Sequence, residues 1–151
     1  MLLTDLLTRD RIKIPLEART KDDLLRELVA VIADRHDAGE RDEILRAVRE
    51  REAVLSTGIG HGVAIPHGKS SAIAELKLAA GRAVSPLDFD ALDGQPVGLF
   101  FLLVGPESAA GAHIKALSRI SRLVRRDDVR TRLAAAPDAD EFLRALEEAE
   151  A

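Results

Sequence analysis

Val97-Gly98-Leu99-Phe100-Phe101-Leu102-Leu103-Val104 is the longest apolar run in the chain. Eight residues suit a strand and fall far short of the ~18–20 that a membrane helix needs. Alternate residues of a strand point to opposite faces, so a run that is apolar throughout is apolar on both. A strand of that kind lies in the centre of a sheet with cover on each side. Reading outward from it, Asp93-Gly94 marks a turn upstream, and Leu76 to Val84 alternates as a second strand that Pro86 is expected to end. Val63-Ala64-Ile65 reads as a short strand stopped by Pro66.

Helical periodicity fills both flanks. Thr20 begins a capping-box-like Thr-Lys-Asp-Asp, and Leu24, Leu25, Leu28, Val29 and Ile32 then share one face. Gly39 is expected to end that unit. Ile44, Leu45 and Val48 stripe a second helix that runs out near Leu55. Three helical segments follow the apolar strand. Ile114, Leu117, Ile120 and Val124 form the stripe of the first. The second carries Val129 and Leu133 behind a cap at Asp127 or Asp128. Asp138 to Glu141 caps the last, with Phe142, Ala145 and Leu146 buried. Two helices, several strands and three helices predict an α/β fold, a three-layer sandwich with the sheet in the middle.

Composition narrows the function classes. The chain has 151 residues, fits one domain over 1–151, and is 46% hydrophobic and 32% charged. It has no cysteine, which excludes disulfides, thiolate metal sites and a cysteine nucleophile. A net charge of -4 argues against a general nucleic-acid binder. Four Phe with no Tyr or Trp leave little for stacking on bases or sugars. Asp5, Arg9, Asp10 and Arg11 break the N-terminus before any signal-peptide core can form, so a cytoplasmic protein with no membrane insertion is expected.

The chemistry concentrates in residues 56–69, Ser-Thr-Gly-Ile-Gly-His-Gly-Val-Ala-Ile-Pro-His-Gly-Lys, whose four glycines, at 58, 60, 62 and 68, exclude a helix. His67 sits between Pro66 and Gly68, where one neighbour restricts the backbone and the other lets it turn sharply. A neutral imidazole is a good nucleophile near pH 7. An ordinary loop histidine is the competing reading. Gly68-Lys69-Ser70 ends like a P-loop, but Val63 stands where that pattern needs glycine. Gly58-Ile59-Gly60-His61-Gly62 is not a dinucleotide fingerprint and follows a helix rather than a strand. His36, His61, His67 and His113 show no metal-ligand spacing, so no metal and no cofactor are expected. His36 reads as solvated in a polar turn. His113, near a helix start behind Gly111, could reach an anion or a second histidine, or could simply be solvated. Arg49 and Arg51 close the second helix; either offers a donor fork to phosphoryl oxygens, or a favourable charge at a helix C-terminus.

Residues 51–68 resemble the active-site signature of the fructose/mannitol-type enzyme IIA domains of the bacterial phosphotransferase system. The pattern is an acidic or amide residue (Glu52), six free positions, Ile59, Gly60, two free positions, then Val63-Ala64-Ile65-Pro66-His67-Gly68. The segments from Ser85 to Val104 and from His113 to Ser121 are similar to the family's second half. Read as an unfused domain, the chain is expected to be most similar to the family's nitrogen-regulatory branch. The resemblance implies a central mixed sheet and phosphorylation of His67. It also implies that His113 orients His67 or contacts the phosphoryl group, and that Arg51 stabilises phosphoryl charge. Ser56, Thr57 and Gly68 fall at the phosphoryl loop. His61 departs from relatives that often carry Asn there, which raises the prospect of a second imidazole near the phosphate. The implied partners are an HPr-like phosphocarrier as donor, and regulatory targets or a IIB domain as recipient. Leu55, Ile59 and Val63 are expected to belong to the core rather than to a docking surface.

Overall fold

A computed structural model describes residues 1–33 and 38–151. The reading of His36 lies outside the described residues. The elements are β1 (Ile12–Leu16), α1 (Lys21–Ile32), α2 (Ala38–Val54), β2 (Gly58–Gly60), β3 (Val63–Ala64), β4 (His67–Lys69), β5 (Lys77–Leu87), β6 (Val97–Gly105), α3 (Ala110–Val124), α4 (Asp127–Ala135) and α5 (Ala139–Glu150). Among the described residues they form one six-stranded sheet in the order β1-β5-β6-β3-β2, with β4 also pairing β6. β5 and β6 are antiparallel, whereas β1 on β5 and β3 and β4 on β6 are parallel, so the sheet is mixed.

The apolar run is the central strand β6. Val97, Phe100, Leu102 and Val104 face a core closed by α1 and α2. Leu99, Phe101 and Leu103 face a second core closed by α3, α4 and α5. Each such side chain contributes about 1.5–3 kcal/mol on burial. The result is the three-layer α/β/α sandwich. All four Phe are fully buried: Phe89 meets Phe100 in the first core and Phe101 meets Phe142 in the second.

The helix starts at Thr20 and Asp138 are as expected. Thr20 Oγ1 accepts the Asp23 N–H at 3.3 Å and Asp138 Oδ1 accepts the Glu141 N–H at 2.9 Å. α4 differs: its cap position is Arg126, without a side-chain cap, and Asp127 and Asp128 lie in the first turn. There they still complement the positive helix end. Gly39 terminates nothing; it lies in the first turn of α2. Pro86 does not end β5, which runs on to Leu87. The pairing with β6 is irregular between Arg82 and Leu87, and such a bulge is where a residue without an N–H can be tolerated. The stripe of α3 holds at Ile120 and Val124 but shifts by one residue in the first turns. Ile114 is 65% exposed, and His113, Ala116, Ile120 and Val124 are the buried set. No helix among the described residues is long and apolar enough to cross a membrane.

Strand β1 packs tightly beside β5. A Cβ on Gly81 would overlap the Lys13 carbonyl oxygen and come within 2.7 Å of Leu16 Cδ1. Gly81→Ala therefore pushes β1 away from the sheet. The expected cost is about 1–3 kcal/mol, read as a lowered midpoint in urea denaturation.

Candidate active site

Strands β3 and β4 run end to end along one edge of β6, separated by Ile65 and Pro66. Pairing of His67 with Leu103 places the imidazole near the C-terminal end of β6, where loops following parallel strands form ligand crevices. On its other side β4 leans on α2. A Cβ on Gly68 would lie 3.0 Å from the Val48 nitrogen and 3.1 Å from the Ala47 carbonyl carbon, both backbone atoms. Glycine at 68 thus lets the strand touch the helix that carries Arg51 and Glu52.

A cavity of about 370 Å³ opens between α2 and α3, lined by Ala47, Arg51, His67, Gly68, Lys69, His113, Ile114 and Leu117. The His67 and His113 rings meet edge-on with centroids 5.6 Å apart. His67 Nδ1 lies 2.8 Å from the Ile65 carbonyl oxygen. A carbonyl can only accept, so Nδ1 carries the proton and Nε2 keeps its lone pair. Burial lowers the His67 pKa below its ordinary 6.5; the Ile65 carbonyl opposes this, and Arg51 assists it. His113 is only 3% exposed, and neither ring nitrogen has a hydrogen-bond partner among the described residues. Burial first, and then the neighbouring His67, pushes its pKa down to about 4. Both imidazoles are neutral at pH 7.

The two arginines of α2 have different surroundings. Arg49 donates twice to Asp22, at 2.8 Å in each case. Arg51 spends one nitrogen on the Leu55 carbonyl at 2.9 Å and makes no ion pair among the described residues, so the rest of its fork faces the cavity. Lys69 is a cavity residue that sequence reading missed. It stands two positions after His67 on the same strand, hence on the same side, but a strand after Pro66 was not anticipated. Its only ion pair among the described residues is a loose one to Glu107 at 3.7 Å.

Ser56 and Thr57 do not line this cavity. They belong to a loop organised by Glu52, which is 6% exposed. The Glu52 carboxylate accepts the Thr57 N–H at 3.0 and 2.9 Å and the Ser56 hydroxyl at 3.3 Å, and meets Lys21 Nζ at 3.2 Å. Lys21 itself lies 4.8 Å above the Phe89 ring. This is the physical content of the signature's acidic-or-amide position: an acceptor that fixes the chain just after α2 ends, at Ser56 and Thr57. His61 lines other cavities. Gly62 accepts from Gly98 and Leu99, whereas His67 pairs Leu103, so roughly 13–16 Å of strand separates the two histidines. His61 has φ 58°, between Gly60 and Gly62 that also have positive φ, and its N–H reaches Asp93 at 3.3 Å. His is among the residues that tolerate this left-handed region better than most. Val63 is buried as expected, but Leu55 and Ile59 are 57% and 41% exposed.

Comparison with known proteins places the chain among phosphotransferase components that relay phosphate. Residues 5–149 match the phosphoenolpyruvate-dependent sugar phosphotransferase system EIIA 2 family, and the chain belongs to it. It is 40% identical over 139 residues to a nitrogen regulatory protein of Bradyrhizobium diazoefficiens, covering 92% of this chain and 90% of that one. It is 36% identical over 143 residues to the fructose-specific EIIABC component of Bacillus subtilis, covering 95% of this chain but only 22% of that protein. The crystal structure of the nitrogen regulatory protein IIA-Ntr from Neisseria meningitidis superposes with a TM-score of 0.88 at 31% identity, covering 95% of this chain and 98% of that one.

Two predictions follow from the site's electrostatics. Unfolded His113 protonates near 6.5 while the folded residue stays neutral to about 4. The unfolded state then binds more protons, so stability falls on acidification across that window, and His113→Asn flattens the fall in denaturant midpoint against pH. Glu52→Ala strands the Thr57 N–H and Lys21; a loss of about 2–3 kcal/mol is expected in chemical denaturation, with Glu52→Gln retaining more of the stability.

Proposed function

We propose that the protein is a phosphoryl carrier that accepts a phosphoryl group from a phospho-HPr-like protein onto Nε2 of His67. Its phosphorylation state then selects which regulatory partner it holds. The observation that carries this reading is the 2.8 Å contact of His67 Nδ1 with the Ile65 carbonyl, which leaves Nε2 as the nucleophilic nitrogen. Nε2 attacks the donor's phosphorus in line. The Nε2–P bond forms as the donor's N–P bond breaks, and the bonding pair returns to the donor ring. Positive charge developing on the His67 ring is stabilised through Nδ1–H by the Ile65 oxygen. The reaction as written balances without metal or nucleotide.

The equatorial oxygens meet Arg51 and Lys69, the cationic side chains that line the cavity. His113 is neutral, so one of its nitrogens is a donor, and a buried donor without a partner costs about 1–3 kcal/mol. A phosphoryl oxygen removes that cost, so His113 favours the phosphorylated state. Ser56 and Thr57 act through the Glu52-held loop, and Gly68 through its contact with α2. His61 has no part in the transfer. Exposed Ile114 at the cavity rim supplies an apolar contact for the donor protein.

The regulatory assignment is supported by 40% identity to a nitrogen regulatory protein along nearly the whole of both chains. The second reading, a fructose/mannitol-type IIA that hands phosphate to a IIB domain, is supported by 36% identity to the EIIABC component.

His67→Ala is expected to accept no phosphate from phospho-HPr in mass spectrometry; full acceptance overturns the assignment. In the wild-type protein, the acceptance rate should keep its neutral-pH value to below pH 6.5 before falling, because protonation removes the Nε2 lone pair and burial depresses that pKa. Affinity capture by phosphorylated and unphosphorylated protein should give different partner sets; identical sets remove the switch.

A further inference from the structure

The bulge in β5 opens a second cavity that phosphoryl transfer does not use. It is lined by the stretch of β5 that leaves its register with β6, between Arg82 and Leu87, and by α4 at Arg130, Thr131 and Ala134. The space is about 410 Å³, within the ~300–1,000 Å³ usual for small-molecule sites. It shares no lining residue with the His67 cavity, and it meets β6 at Leu99, four residues before the partner of His67.

Its polar groups converge and are largely uncommitted. Half-buried Arg82 is anchored by one bond, from Nε to the Ala136 carbonyl at 3.0 Å. Its terminal nitrogens have no hydrogen bond or ion pair among the described residues. The His61 ring and the Thr131 hydroxyl likewise have no partner among them. Arg130 is neutralised, since it donates to the Val124 carbonyl at 2.7 Å and pairs with Asp127. The net charge presented to the cavity is therefore the Arg82 guanidinium, held by its Nε and offering its planar fork. The rest of the wall is apolar, including Val84 and Leu99.

We propose that this cavity binds a small organic carboxylate with a short apolar tail. The carboxylate takes the two terminal nitrogens of Arg82 in a bidentate pair, the arrangement that suits a guanidinium best. The tail lies against Val84 and Leu99 and contributes by burial. Inorganic phosphate fits less well, because it would lose hydration against an apolar wall without recovering it. The proposal does not depend on phosphorylation of His67.

The test uses the full unphosphorylated chain and three probes at millimolar concentration: hexanoate, hexanol and inorganic phosphate. Two-dimensional amide NMR reads the signals of Gly62, Val84, Gly98 and Ala134. Hexanoate is expected to shift them in a saturable manner. Arg82→Met should weaken binding by roughly tenfold or more, the usual loss for a charge-assisted pair. Val84→Asp gives a second variant at a side chain that is 62% exposed, where folding is not at stake. It places a negative charge at the cavity mouth and should weaken hexanoate while leaving phosphoryl acceptance by His67 unchanged. Absence of shifts overturns the proposal, as do equal shifts with hexanol or hexanoate binding that both variants leave intact. Phosphate binding as tightly as hexanoate overturns the organic class of the ligand.

Discussion

A strand without a polar side chain between Val97 and Val104 persists in water only if both of its faces are covered, and the rest of the molecule is arranged around that constraint. Covering both faces requires helices on both sides, which α1 and α2 provide on one and α3 to α5 on the other. Pairing both edges of β6 requires β5 on one and the successive short strands β3 and β4 on the other. The position of His67 then follows from main-chain pairing to Leu103 rather than from a loop free to wander. Only glycine at 68 admits the close contact with α2 that brings Arg51 and His67 to one cavity.

The site uses burial more than hydrogen bonding to set its electrostatics. His113 is neutral because it is out of water, and among the described residues no partner repays either nitrogen. Such a group is costly to fold and receptive to an incoming oxygen, the combination expected where stability is traded for chemistry. The cost is offset one element away. Glu52, nearly as buried, has its carboxylate satisfied by Thr57, Ser56 and Lys21. A chain of net charge -4 thus turns two cations, Arg51 and Lys69, towards one small cavity.

Elements long enough to repeat their period were legible in the sequence. α1, α5 and β6 stand where alternation, capping and apolar periodicity put them. Elements of two or three residues carry no period: β3 showed only through the apolar Val63-Ala64-Ile65 before Pro66, whereas the glycine-containing β2 and β4 gave no such run, and β4 holds His67. β1 escaped because its residues, Ile12 to Leu16, are interrupted by Lys13 and Pro15. Ile120 and Val124 of α3 are buried where periodicity puts them, but its first turns slipped by one because Ile114 and Leu117 describe a face as apolar as the true one; tertiary packing chose His113 and Ala116. The same slip concealed how deeply His113 is buried. Arg51 and Arg49 were indistinguishable by type and spacing. Asp22, 27 residues from Arg49 along the chain, tells them apart. The second cavity had no sequence signal at all, since it arises from a register shift.

Placement of the four phenylalanines has a practical consequence. With no Tyr or Trp, the near-ultraviolet spectrum belongs to phenylalanine alone, and the chain has no strong fluorophore. One edge-to-face pair, Phe89 with Phe100, lies on the α1–α2 side of the sheet, and one tilted pair, Phe101 with Phe142, lies on the α3–α5 side. Fluorine-labelled phenylalanine would therefore put a separate, fully internal reporter in each layer. Adjacent residues of one strand, Phe100 and Phe101, would speak for opposite halves of the molecule.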